Sequence, residues 1–428
     1  MNLTKRLKGF SFLSFIFLLV ICMLGMMAFV AYWSPSFYDT FKDEKGMHMI
    51  DSHKKIKVLL IQNESSRNNI KAYLNLEGFV KSVDKFNIME PRIIEGVGND
   101  PVILNSVIED AINEGIDKIF LVGFKYSLTI SNIFRKYPNV LFFLYGGESN
   151  EKNVISYLPR TYNMKYLLGI IAGISTKTNE IGYIADTKAS WNMRSINAFA
   201  IGVAKVNPKA KIKLAFTYDV DDVEAAKYLV NSLFEKTNID IITGSLSKCV
   251  WCDLAFLNIK MKYIGQMVDE SQGYDDRYLS SYIYNMKPIY THFFMAISNN
   301  LPDFANNFWF GYREGVMNLG PLSSQIPEGR RKFLEKEFDL VKKDICFVYR
   351  GPIYSNEKKK VVDYNATIND HELEQSLNWL NFNIEEFELD GNYFRESVYN
   401  YNEHKQDDVN LEILSMDEAK EILKKRPK

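Results

Sequence analysis

Between Asn153 and Phe216 the hydrophobic pattern switches repeatedly between strand and helix spacing. Asn153 to Leu158 is a short β-rich run, and from Tyr162 the apolar positions fall at helical intervals, with Tyr166, Leu167, Ile170, Ile171 and Ile174 on one broad face. Gly169, Ala172 and Gly173 crowd small residues onto the same helix. Each glycine in a soluble helix costs roughly 1 kcal/mol relative to alanine, so a second backbone is expected to approach closely there. The strand "EIGYIAD" follows, then a helix over Asn192 to Lys205 that stops at Asn207-Pro208, then the strand "KIKLAF". The order β-α-β-α-β predicts a parallel sheet with helical crossovers.

Upstream, from Lys55, the same alternation holds. "IKVLLIQ" is a continuous apolar run, and a helix rich in Leu and Phe follows through Phe86. "RIIEGVG" is the next strand, followed by a helix over Leu104 to Asn113, the strand "KIFLVGF", a short helix to Arg135 and the strand "NVLFFLY". Runs this apolar are expected to be buried on both faces of a helix-covered sheet. Downstream, "IDIITG", "DLAFLNI" and "KYIGQM" predict further strands. Near the end of the chain Ser415 and Glu418 form a capping box, with Lys420, Lys424, Lys425 and Arg426 placed late, so a short terminal helix is specified. It reads as a surface appendage; a docking element for a membrane partner is the alternative.

At 428 residues the chain is too long for one ordinary core, and two lobes with extensions are expected. Lys and Arg number 52 against 53 Asp and Glu, a balance that gives no reason to expect binding to nucleic acid or to an anionic surface. The first residues differ in character. Lys5, Arg6 and Lys8 precede an uncharged run from Phe10 to Trp33, and at 1.5 Å per residue its 24 residues span roughly 36 Å, enough to cross a hydrocarbon core of about 30 Å. The basic flank places residues 1–9 in the cytoplasm, 10–33 in the membrane as a signal anchor, and everything after a tether at 34–54 outside. Cleavage after Ala28 or Ala31 is the competing reading, with Met26 and Phe29 large for the position three residues before the cut.

Candidate chemistry is sparse. Cys249 and Cys252 form "CVWC", read as a local disulfide or two partly buried thiols, with a redox dithiol as the alternative. His48, His53, His292, His371 and His404 are scattered, and neither a metal nor a cofactor is expected. Asp219, Asp221 and Asp222 cluster after a strand but lack the glycine of a calcium loop, and acids at a helix start are favoured by the dipole in any case. "GISTKT" has no glycine directly before Lys177, so it is not a phosphate loop. No HExxH and no nucleophile elbow is present.

The runs "NVISYLPRTYNMKYLLGIIAGISTKTNEIGYIAD" and "SINAFAIGVAKVNPKAKIKLAF" resemble the basic membrane protein (BMP) family of ABC transporter substrate-binding proteins, purine-nucleoside-binding type. Gly115 to Phe124, Tyr137 to Phe143, "YLSSYIYN", "NFWFGYREGVMNLGP" and "CFVYRGPIYSNE" extend the resemblance over about residues 55–388. It implies an α/β fold of two doubly wound parallel-sheet lobes, the type I periplasmic-binding protein architecture, behind the single N-terminal transmembrane helix. Lobe 1 is expected at 55–160 and 286–318, lobe 2 at 161–285 and 319–390, and a C-terminal extension at 391–428. Family members are commonly lipoproteins, for which Cys22 is the candidate acylation site.

The resemblance further implies a ligand site between the lobes, at the carboxyl ends of the strands. There, aromatic rings stack a nucleoside base while carboxylates and amides hold ribose hydroxyls. Carried over position by position, the candidates are Phe124, Tyr218, Asp269, Asn68 and Asn285. Phe124 ends its strand at the cleft, Asp269 sits where the family holds ribose, and Tyr218 lies two residues before the family's aromatic position at Val220. Asn68 and Asn69 stand in for lost acids after the first strand, and Asn285 and Tyr284 lie on the return to lobe 1. The family's acid before the hinge is here Gly146, followed by Gly147 and Glu148, and its glutamate near the hinge helix is Asn163. The expected function is a membrane-anchored extracytoplasmic substrate-binding protein of an ABC importer. It would bind a nucleoside-like solute, partner a permease in the cell (inner) membrane and catalyse nothing. A ligand sensor or scaffold on the same fold is the alternative.

Overall fold

The computed structural model describes residues 56–86, 88, 91–147, 149–218, 223–246, 261–269, 271, 276–299, 307–343, 348–375, 377–388 and 411–425. The anchor with Cys22, the tether, Asp219 to Asp222, Cys249, Cys252, Glu148 and the "DLAFLNI" segment lie outside the described residues. Among the described residues no helix is long and apolar enough to cross a membrane.

The chain opens as β1 (Leu59–Gln62), α1 (Ile70–Val83), β2 (Arg92–Glu95), α2 (Pro101–Asn113), β3 (Lys118–Val122), the short α3 (Tyr126–Thr129) and α4 (Ser131–Lys136), β4 (Leu141–Tyr145) and β5 (Val154–Pro159). It then runs through α5 (Thr161–Ser175), β6 (Glu180–Ala185), α6 (Ser190–Val206), β7 (Lys211–Phe216), α7 (Val223–Lys236), β8 (Ile241–Gly244) and β9 (Lys262–Ile264). Next come β10 (Tyr278–Ser280), β11 (Tyr282–Tyr284), α8 (Lys287–Ser298), β12 (Asn307–Phe310), β13 (Met317–Leu319) and α9 (Glu328–Lys342). The last elements are β14 (Ile353–Tyr354), β15 (Lys360–Val362), α10 (Asp370–Gln375), β16 (Ile384–Glu386), β17 (Glu412–Leu414) and α11 (Met416–Lys424).

The principal strands form two sheets, ordered β12-β5-β4-β3-β1-β2-β17 and β10-β9-β8-β6-β7-β16. Apart from β17, every neighbouring pair in both sheets is parallel. This is the two-lobed α/β architecture that the alternating periods predict. The strands are apolar because helices cover both faces: β1 and β5 are buried throughout, and β3, β4 and β6 at every residue but the first. One face of the first sheet is an aromatic layer. Phe120 stacks on Phe143 at 4.3 Å, and Phe79 of α1 meets Tyr290 and Phe294 of α8 edge-on at 5.6 and 5.5 Å.

Small residues set the closest helix contact. A Cβ on Gly169 of α5 would stand 2.0 Å from Phe199 O, and one on Gly202 of α6 would stand 2.1 Å from Tyr166 O. The two helices therefore touch backbone to backbone, which is the approach that the glycines of α5 imply.

The C-terminal segment does more than cover a surface. β17 adds antiparallel to β2, and α11 lies on α1, where Tyr73 Oη donates to Leu423 O at 3.1 Å and Arg67 pairs with Glu412 at 2.7 Å. Alternation is visible in β17: Ile413 faces water while Leu414 is buried. The capping box forms as the sequence specifies, with Ser415 Oγ accepting from Glu418 N and the Glu418 carboxylate accepting from Ser415 N at 2.8 Å. Ser415→Ala is expected to cost about 1 kcal/mol, seen first as faster amide exchange over α11. Unchanged exchange there would mean that the cap contributes nothing.

Candidate interlobe site

The chain passes from one sheet to the other after β5, β10, β12 and β16, and side chains tie the first two of these crossovers. At the first, Arg160 N donates to Phe310 O at 2.7 Å, and its guanidinium donates to Asp370 Oδ2 from Nε at 3.2 Å and from Nη2 at 3.0 Å. Tyr162 Oη donates to the other oxygen of Asp370 at 2.6 Å, so one carboxylate holds both ends of the turn into α5. At the second, β11 pairs antiparallel with β13, and Tyr284 N donates to Met267 O at 2.9 Å. The hydroxyls of Thr161 and Tyr284 share a hydrogen bond, which joins the two crossovers.

Above this hinge the carboxyl ends of the strands face each other. Phe124, just past β3, stacks on Trp191 in the first turn of α6 with ring centroids 5.4 Å apart and planes 16° from parallel. Tyr145 at the end of β4 meets Phe124 edge-on at 5.3 Å, and Lys71 Nζ lies 4.7 Å from the Phe124 centroid. The pair spans the cleft, with Phe124 from the first lobe and Trp191 from the second. Gly146 explains how the ring fits: at φ +79° it adopts a conformation that favours glycine, and a Cβ there would stand 2.4 Å from the Phe124 ring. The acid that the sequence lacks at position 146 makes room for this aromatic group.

A second departure has a structural counterpart. The loop after β1 carries few acids, yet Glu95 at the end of β2 supplies a carboxylate to it, accepting from Gln62 Nε2 at 2.7 Å, Ser66 N at 3.0 Å and Ser66 Oγ at 2.9 Å. Burial pushes the Glu95 carboxyl up, and the bonds from Ser66 and Gln62 pull it back. The side-chain carbonyl oxygens of Gln62, Asn163 and Gln266 are buried and accept no hydrogen bond from the described residues. Gln62 Nε2 donates to Glu95 and Gln266 Nε2 to Leu246 O, which fixes which end of each amide is the acceptor. Unfilled acceptors at the ends of β1 and β9 and in the first turn of α5 suit a ligand that brings hydroxyl or amino donors. Among the described residues no cluster of His, Cys, Asp and Glu would hold a metal ion.

Of the residues singled out in the sequence, Phe124 belongs to this constellation. Asp269 follows β9, partly buried, and its Oδ1 accepts from Ser271 N at 2.9 Å. Tyr218 is 55% exposed, at φ +59°, its ring 5.9 Å from that of Phe216. Asn68 is exposed and its N–H donates to Ser65 O; the neighbouring Asn69 caps α1 through Lys71 N and Ala72 N. Asn285 is exposed and accepts from Lys287 N at 3.3 Å at the start of α8. Lys71, Asp186 and Trp191 were not foreseen. Asp186 ends the buried run "EIGYIAD", and an acid at the carboxyl end of a central strand was the available signal.

The family model for the PnrA-like ABC transporter substrate-binding proteins (Bmp) matches residues 64–344. The chain belongs to this family. In curated relatives, this substrate-binding protein is 24% identical to a purine-binding protein of Brucella abortus over 68% of this chain and 85% of that one. It is 26% identical to an ABC transporter glucose-binding protein of Haloferax volcanii over 60% of this chain and 66% of that one. The solved structure of a transcriptional activator of the comK gene from Bacillus halodurans superposes with a TM-score of 0.57 at 20% identity, covering 68% of this chain and 98% of that one, a likeness of fold.

Proposed function

We propose that the protein is the extracytoplasmic receptor of an ABC importer, tethered by its N-terminal apolar run, and that it closes its lobes over a nucleoside-like solute for delivery to a membrane permease. It performs no chemistry on that solute. The observation that carries the reading is the Phe124–Trp191 pair, contributed by opposite lobes just past β3 and in the first turn of α6, in a protein that also keeps buried acceptors on Gln62, Asn163 and Gln266 without donors among the described residues. Two rings that meet across a cleft offer flat apolar faces to a base, and acceptors left without donors suit a sugar's hydroxyls. The purine-binding relative favours a nucleoside, and the glucose-binding relative makes a free sugar the other candidate.

The test is thermal unfolding of the full chain in mild detergent, followed by tryptophan fluorescence, with nucleosides, nucleobases, sugars and amino acids added in turn. A solute at 100 times its dissociation constant stabilises by about 2.7 kcal/mol, a shift of several degrees. A response to nucleosides and to none of the other classes supports the proposal. A response to amino acids alone, or to no compound, sinks it.

A further inference from the structure

The acid that follows β6 is only half used by its surroundings. Asp186 is 6% exposed; its Oδ1 accepts from Thr187 N at 2.6 Å and from Thr187 Oγ1 at 3.5 Å, its own backbone N–H also acts on the carboxylate, and no hydrogen bond from another described residue reaches Oδ2. An oxygen of a buried acid that no neighbouring side chain engages is open to a donor that the fold itself does not supply.

Its neighbours define what that donor would belong to. Lys71, in the first turn of α1 in the opposite lobe, favours the ionised form of Asp186. The same ammonium lies 4.7 Å from the Phe124 centroid, and Phe124 stacks on Trp191, five residues beyond Asp186. Tyr183, on β6 itself, also senses the carboxylate, and burial keeps its hydroxyl neutral. A flat apolar platform is thus flanked by an anion from one lobe and a cation from the other.

We infer that Asp186 is a specificity-determining residue of the cleft, its Oδ2 taking an O–H or N–H donor of a ligand whose flat face lies against Phe124 and Trp191, with Lys71 as counter-charge from the opposite lobe. The inference rests on the reading of the cleft as a solute site. It adds a pH signature. Burial holds the Asp186 carboxyl up at about 6, with the Thr187 hydrogen bonds and Lys71 pulling it down. A carboxylate accepts from a donor only where ionised, so affinity falls as the pH is lowered through that value.

Isothermal titration of the full chain in detergent, with adenosine, ribose and glucose as probes from about pH 5 to about pH 8, tests it. For the probe that binds, Asp186→Asn is expected to weaken affinity by about 10- to 100-fold at neutral pH and to flatten the pH profile. Lys71→Met is expected to move the wild-type midpoint upward, since the nearby cation no longer favours the ionised form. Binding by Asp186→Asn that matches the wild type in strength and pH profile overturns the inference and leaves the cleft reading standing. Should no probe bind the wild type, the cleft reading itself falls and takes the inference with it. If Asp186→Asn does not fold, Lys71→Met carries the test alone, and an unmoved midpoint overturns the assignment.

Discussion

Gly202→Val is expected to leave the second lobe unable to fold around its central helix pair. The nearest atoms to a Cβ at this position are Tyr166 O at 2.1 Å and Ile170 N at 3.0 Å, both backbone, so no side chain can turn aside. The facing Gly169 meets Phe199 O in the same way at 2.0 Å. To admit even one methyl group the helices must separate, which loosens the contacts of Leu167, Ile170 and Ile171 on one side and of Ala198, Phe199 and Val203 on the other, all buried. Overpacking of this kind costs about 1–3 kcal/mol for a single group and more when the obstacle is backbone, against a total stability of about 5–15 kcal/mol. We expect Gly202→Ala to lose about 3 kcal/mol in urea unfolding and Gly202→Val to be recovered insoluble. Gly329, in the first turn of α9 with nothing within 4 Å of its Cβ position, is the control, and Gly329→Ala is expected to be neutral or slightly stabilising. If Gly202→Ala melts with the wild type, the backbone contact is not what holds the lobe.

That contact shows why so much of the fold was legible. A glycine inside a helical pattern is a local signal with a non-local meaning, and Gly169 and Gly173 announced a close neighbour before its identity was known. The strands were legible for a similar reason: a run such as "NVLFFLY" has no polar face, so it must be covered on both sides. The terminal helix was legible from Ser415 and Glu418, but its place was not, because pairing of β17 with β2 depends on three residues whose partner lies more than three hundred positions away.

The site was less legible because a cleft is assembled from strand ends of both sheets. Phe124 could be placed there because the family resemblance puts the Gly-Phe that ends this strand at the cleft. Trp191 could not, since Ser190 and Asn192 flank it at the start of α6 and an aromatic residue there has the ordinary reading of a surface contact. Glu95 offers the same lesson in reverse. As the last residue of a strand it signalled nothing, and only the parallel pairing of β1 with β2 brings it to Gln62 and Ser66. Strand-end acids in parallel sheets serve loops that follow other strands, a relation that no reading along one dimension contains.

Lys165→Met is expected to stabilise the protein near neutral pH while leaving the hinge in place. Lys165, on α5, is 1% exposed; its ammonium donates to Gly244 O and lies 5.5 Å from the Tyr183 ring and 5.1 Å from that of Tyr282, on the crossover strand β11. No carboxylate among the described residues pairs with it, and burial pushes its pKa down to about 7. The unfolded chain holds that proton up to about pH 10.4, so between about pH 7 and that value the unfolded state binds more protons and stability rises with pH. Below about 7 both states are protonated and the full cost of burying the ammonium applies. A difference of roughly three units corresponds to about 4 kcal/mol, reduced by the carbonyl bond and ring contacts that methionine loses, so a gain of about 2 kcal/mol at pH 6 is expected. Asp186 works in the opposite sense: its folded value of about 6 lies above the unfolded range, so its cost appears as pH rises through the acid range and is complete above 6. The combined contribution of the two groups is therefore lowest between about 6 and 7, where both are charged inside the fold. Urea unfolding of the wild type across this range should show the minimum, and in Lys165→Met the rise on its alkaline side should vanish. A wild-type curve that falls steadily from pH 7 to pH 9 would mean that Lys165 is solvated well enough to keep its charge, and that the hinge carries no buried cation.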